Sequence, residues 1–172
     1  MTNMLKPMLR LFGAFLLLTS AAGADELARG IALYNEGKFA EAVGTLGAVS
    51  AAQPDNPQAH TYLGLALVKS GKPNEALAPL GKALELSEKN SEAHFGLGLA
   101  YGYLNNLEAS IRELERAVQL DPQHAYARYN LGLAYNQQKK PDLAILHLTR
   151  FLELAPKSPE APQVRTLLAN LR

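Results

Sequence analysis

The side chains best suited to chemistry near neutral pH are four histidines, His60, His94, His124 and His147. A zinc site or a metal-assisted hydrolase needs such residues grouped, for instance two on successive turns of one helix with a carboxylate or thiolate nearby. Here His60 and His94 stand 34 residues apart, and His124 and His147 fall elsewhere. The chain has no cysteine, which excludes disulfides, thiol chemistry and a lipid-modified amino-terminal cysteine. No G-x-S-x-G, Walker sequence or glycine-rich loop after a strand is present. The run Gly96–Gly102 (GLGLAYG) is glycine-rich, but it lies inside a helical pattern and implies packing rather than phosphate binding. The pair Lys139-Lys140 sits at a turn, where it is solvated. These residues point to no catalytic site, no metal and no cofactor.

What positions them is a repeat. Sliding the sequence by 34 residues carries Leu63-Gly64 onto Leu97-Gly98 and Leu131-Gly132, and one step earlier the glycine persists as Gly30. Ala32, Ala66, Ala100 and Ala134 keep the same step, as do Leu46, Leu80, Leu114 and Leu148. In the unit Ser91–His124, Leu97, Ala100, Tyr101 and Leu104 recur at the spacing of one helix face. Asn105-Asn106 interrupts it, because asparagine bonds locally to backbone groups. A second helix turns Leu107, Ile111, Leu114, Ala117 and Val118 inward, and Asp121-Pro122 ends it. Each unit is therefore a helical hairpin. Glycine within a helix costs about 0.5–1 kcal/mol relative to alanine. Its return at Gly30, Gly64, Gly98 and Gly132 predicts close helix approach in every unit. Gly37 and Gly71 are expected to close first helices in a left-handed conformation. Pro73 suits a helix start, whereas Pro79 falls one turn later, where it would bend the helix.

The period, the Leu-Gly pair, the later alanine and the closing proline resemble the tetratricopeptide repeat. Four units follow: Gly23–Asn56, Pro57–Asn90, Ser91–His124 and Ala125–Ser158. The resemblance implies an all-α, right-handed solenoid of helical hairpins over residues 25–158. The family's early tryptophan is replaced by Glu26, His60, His94 and Arg128. Its aromatic before the second helix is Phe39, Pro73, Leu107 and Pro141. The later alanine is Ser110 in the third unit, and the closing proline is Glu88 in the second. After Ser158 the period stops, and Val164, Leu167, Leu168 and Leu171 form one apolar stripe. Residues 159–172 thus read as a helix capping the last repeat. Phe151, where earlier units carry Val49, Ala83 and Ala117, fits an altered last interface.

The 172 residues are 48% hydrophobic and 19% charged, a globular balance. The formal charge is +1, and −1 once Lys6 and Arg10 are removed, which gives no electrostatic reason to expect nucleic acid. That removal is expected. Residues 1–24 combine a basic start, the apolar stretch Leu11–Leu18 and a small-residue end with Ala22-Gly23-Ala24 as an A-x-A site. Cleavage after Ala24 leaves Asp25 first, with no stable membrane span, and places the chain in the periplasm or outside the cell. The rival reading is a retained anchor, but the uncharged stretch is short of the roughly 20 residues a span requires.

The informative feature is a second stripe on the first helices. Phe95, Leu99 and Tyr103 run opposite the face of Leu97, Ala100 and Tyr101. The matching residues are Leu27, Ile31 and Tyr34, then Thr61, Leu65 and Val68, and finally Tyr129 and Leu133, joined by Tyr126 and Asn136. A helix apolar on two sides is buried twice, or buried once and used once. The resemblance implies that this stripe lines the concave face, where the family commonly binds peptides or proteins. The lysine and asparagine constellation with which some members clamp a carboxylate terminus is missing. Ile31, Leu65, Leu99 and Leu133 hold its place, which favours an apolar helix or segment as partner. Two internal fates compete: burial between adjacent first helices, and cover by the terminal helix. The functional expectation is a non-catalytic protein-interaction module or scaffold of the cell envelope. The alternative is a self-associating structural protein whose groove is filled by its own terminal helix or another copy.

Overall fold

A computed structural model describes residues 23–171. The expected leader lies outside them except for Gly23 and Ala24, which are described along with the expected cleavage point after Ala24. Among the described residues there are nine helices and no strand. Helix α1 covers 23–35, and α2 (Phe39–Ala52) completes the first hairpin. Then come α3 (Pro57–Lys69) with α4 (Pro73–Leu86), α5 (Ser91–Tyr103) with α6 (Leu107–Leu120), α7 (Ala125–Gln137) with α8 (Pro141–Leu154), and a single α9 (Ala161–Leu171). Successive first helices α3, α5 and α7 touch one another and form an inner layer, with the second helices outside. None of these helices is long and apolar enough to cross a membrane.

The recurring glycines close the hairpins. A Cβ on Gly30 would lie 2.6 Å from Leu46 Cδ2, and one on Gly64 would lie 2.3 Å from Leu80 Cγ. At Gly98 and Gly132 the distance is 2.6 Å, to Leu114 Cγ and Leu148 Cγ, with the leucine backbone N only 3.3 Å away. All four leucines are fully buried. Each second helix therefore seats a leucine directly on the backbone of its first helix, and no side chain fits between. Gly96 does the same between repeats, against Leu80 and Leu65, so the GLGLAYG run is packing.

The turn between the paired helices also repeats. Gly37 (φ 76°), Gly71 (φ 78°), Asn105 (φ 58°) and Lys139 (φ 58°) occupy one register position, all left-handed. Around each, the next N–H reaches five residues back: Lys38 to Leu33, Lys72 to Leu67, Asn106 to Tyr101 and Lys140 to Tyr135. This is the Schellman closure, which satisfies the carbonyls a helix end leaves open. Asparagine tolerates the left-handed region; lysine adopts it at a steric cost. Lys139 is thus a structural turn residue as well as a solvated one. Pro79 lies within α4, which continues through it.

At the other end, Asn56 and Asn90 cap α3 and α5 with their side chains, and His124 caps α7 through Nδ1, which accepts from Ala127 N–H at 3.2 Å. Three residues at the family's tryptophan position share another duty. His60 and His94 place Nε2 2.9 and 3.3 Å from the carbonyls of Pro54 and Glu88, and Arg128 Nε donates to that of Pro122 at 2.9 Å. Each ties a first helix to the loop that precedes it.

The terminal helix caps the array as expected, and it also keeps the step. Ala161 and Leu168 follow Ala127 and Ala134 by 34 residues and are buried likewise. Arg165 and Thr166 fall where Leu131 and Gly132 face a second helix, and both are exposed. So α9 holds the register of a first helix but is polar on the side where α7 packs on its second helix. Phe151 fills the last interface, fully buried with Leu148, Val164 and Leu168.

Alanine substitution separates seated from idle glycines. Gly98→Ala should lower stability by about 1–3 kcal/mol through overpacking. Gly81→Ala, with nothing within 4 Å of the added carbon, should raise it by about 0.5–1 kcal/mol. Denaturant melts of the two variants check this; shifts of the same sign would show that the leucine seats do not hold the hairpins.

Candidate functional site

The inner layer encloses a concavity of about 580 Å³. Six residues of the second stripe line it: Tyr34, Phe95, Leu99, Tyr103, Tyr126 and Tyr129. The other seven do not. Leu133 lines a neighbouring hollow of about 300 Å³ between α5, α6 and α7, which shares Leu99 and Tyr103 with the first. Asn136 is half-buried outside both, and Leu27 and Ile31 pack on the Ala42–Leu46 cluster at the amino-terminal end.

Thr61, Leu65 and Val68 are corrections. All three are buried, because α3 is packed among α2, α4 and α5. Thr61 Oγ1 donates to Pro57 O at 2.7 Å and accepts from Asn90 Nδ2 at 2.8 Å, so its polar atom serves the next helix cap. Leu65 packs against Gly96. In the second repeat the stripe is internal packing.

Depth also divides the residues that do line the groove. Phe95 is 7% exposed and Leu99 8%, so they form a floor belonging to the core. Tyr103 is 64% exposed and Tyr126 42%, and they form the accessible walls. Tyr129 leans on Phe151, ring centres 5.0 Å apart, and Tyr34 on Tyr62 at 5.6 Å. Helix α9 packs on α8 and supplies no lining residue, so it does not occupy the groove.

Apolar periodicity missed the polar lining: Asn35, Lys69, Glu92, His124, Asn130 and Glu160. The signal lay in the repeat itself. Glu92, Tyr126 and Glu160 are one register position, at the amino-terminal edge of successive inner helices; Asn35, Lys69 and Tyr103 are another, at the carboxy-terminal edge. Tyr126 donates its hydroxyl to Glu160 at 3.3 Å. Burial, aided by Glu92, pushes the Tyr34 hydroxyl up to about 12. Burial and then Glu160 raise Tyr126 and Tyr129 in the same direction. These hydroxyls stay protonated at neutral pH and remain donors.

The histidines serve the fold. His94 Nδ1 pairs with Glu113 at 2.7 Å, and His147 stacks on Tyr135, whose hydroxyl bonds to Glu115. Burial first, then the Arg128 charge, holds His147 below the usual imidazole range. Among the described residues no three His, Asp or Glu side chains gather to hold a metal ion.

A tetratricopeptide repeat family model matches residues 27–93, 63–101 and 95–159, which spans all four hairpins. The chain belongs to the tetratricopeptide repeat family. Among solved structures, MamA shares 30% identity over 82% of this chain and 82% of its own, with a TM-score of 0.67. YrrB, described as a repeat protein with an unusual peptide-binding site, shares 26% over 95% and 84%, TM-score 0.65. PilF of Pseudomonas aeruginosa, at 24% identity over 88% and 68% with TM-score 0.74, shows the same repeat fold. No curated relative matches the sequence.

Floor and wall residues of this tetratricopeptide groove should respond differently to mutation. Leu99→Glu puts a carboxylate into the core and should cost several kcal/mol of stability. Tyr103→Ala should leave melting within about 0.5 kcal/mol of the parent. Thermal melts followed by circular dichroism check both; a stable Leu99→Glu variant would make Leu99 a surface residue.

Proposed function

We propose that this tetratricopeptide repeat protein is a non-catalytic interaction module that binds a segment of another protein in its concave groove. The observation that carries the reading is the pair of exposed tyrosines, Tyr103 and Tyr126, over an apolar floor that the chain's own terminal helix leaves open. Large semi-rigid aromatics at the wall of a desolvated pocket are the usual anchors of binding energy. YrrB, of the same fold, carries a peptide-binding site by its own description. The module acts in the cell envelope, a reading supported by the basic, apolar and small-residue segments of residues 1–24.

A photo-crosslinking residue at position 103 or 126, introduced in the native cell, should yield adducts with a different protein. The same residue at Arg112, exposed on α6, should yield none. Adducts joining only copies of this chain would favour the self-associating scaffold, and equal adducts from Arg112 would remove the groove from consideration. The intact mass of the recovered protein should begin at Asp25; a mass that includes residues 1–24 would make that segment an anchor.

A further inference from the structure

Resting on the groove reading, we infer that the segment bound there carries a lysine or arginine, seated between Glu92 and Glu160 against the Tyr126 and Tyr129 rings, with apolar neighbours on Phe95 and Leu99. Glu92, Tyr126 and Glu160 recur at the 34-residue step, which sets two carboxylates either side of an exposed aromatic along one edge of the groove. Neither carboxylate has a lysine or arginine partner among the described residues. Against these two negative charges the lining offers one ammonium, Lys69, at the last residue of α3 and hence at the opposite edge.

His124, the polar neighbour of Glu92 in the groove lining, does not hydrogen-bond to that carboxylate. Its side chain is 10% exposed, and its ring lies 4.5 Å from that of Phe95 on the groove floor. Because Nδ1 accepts from Ala127 N–H, the ring hydrogen sits on Nε2. Nε2 stands 3.3 Å from Glu92 Oε1, yet it has no hydrogen-bond partner. A buried donor thus lies beside the Glu92 carboxylate without bonding to it, and the carboxylate charge is left uncancelled. Burial first, and then the nearby carboxylate, raises the hydroxyls around both: Glu92 acts on Tyr34 and Tyr62, Glu160 on Tyr126 and Tyr129.

A cationic side chain answers the two carboxylates left without a cationic partner and the tyrosine rings beside them. It pairs with either carboxylate through charge-assisted bonds. Its face or methylenes lie on tyrosine rings, which attract cations through their quadrupole. An acidic segment would meet two like charges along that edge, and a free carboxylate terminus would find only Lys69.

The test is selection of a displayed library of random dodecapeptides against the chain lacking residues 1–24, followed by binding of a synthetic copy of the most enriched sequence. Enriched peptides should carry lysine or arginine beside apolar residues. Replacing that basic residue by norleucine should weaken binding at least about tenfold, as should Glu92→Gln with Glu160→Gln in the protein. The peptide substitution probes the same contact without touching the protein's fold. Enrichment of neutral or acidic peptides, or indifference to the norleucine change, overturns the charge selection while leaving the groove as a peptide site. Enrichment no greater than on a Tyr103→Ala, Tyr126→Ala double variant shows that the groove reading itself has failed.

Discussion

The fold depends on one contact made four times: a leucine of the second helix set on a glycine of the first. At Leu46 on Gly30, Leu80 on Gly64, Leu114 on Gly98 and Leu148 on Gly132, the approach is closer than any Cβ would permit. Such proximity brings two helix backbones within reach of each other's dispersion forces along the whole hairpin. It also fixes which side of the first helix is spent on its mate. The remaining sides must pack on neighbouring first helices or face the concave surface. Gly96, wedged against Leu80 and Leu65, shows the same economy of volume between repeats. Helix α9 withholds that arrangement: it presents Arg165 and Thr166, both exposed, where α7 carries Leu131 and Gly132.

Separation of fold from recognition follows from depth along the inner helices. Side chains along α3 and α5 that face neighbouring helices are squeezed on both sides, and Thr61, Leu65, Val68, Phe95 and Leu99 are consumed there. Two residues at the helix ends escape that pressure. Tyr103 closes α5 and Tyr126 opens α7, and both stand free above the floor. Phe151 extends the effect, since its buried ring supports Tyr126 and Tyr129 from behind. A core side chain specific to the last interface thereby shapes the groove wall.

Hairpins, their order and their glycine seats were legible because each arises from short-range periodicity that returns at the same step. Two structural details were legible only by reading down the register. Lys139 looks like a solvated charge until it is aligned with Gly37, Gly71 and Asn105, and His124 looks like a ligand until it is aligned with the capping Asn56 and Asn90. The groove was half legible. A helical wheel gives the direction of Leu65 or Leu99 but not how deeply the neighbouring helix buries it, and seven of the thirteen stripe residues accordingly do not line the main concavity. Glu92 and Glu160 escaped notice because a search for apolar stripes discards carboxylates, although their common register with Tyr126 was present in the sequence.

The most direct measurement of the central claim, that one face of the inner layer recognises while the glycine seats only support it, is an NMR titration of the folded chain with its bound segment. Amide and aromatic resonances should shift at Tyr34, Phe95, Tyr103, Tyr126 and Tyr129, with the outer helices α2, α4, α6 and α8 unmoved. Shifts concentrated instead on the exposed outer residues Leu143 and Leu146 of α8, or along α9, would contradict the account.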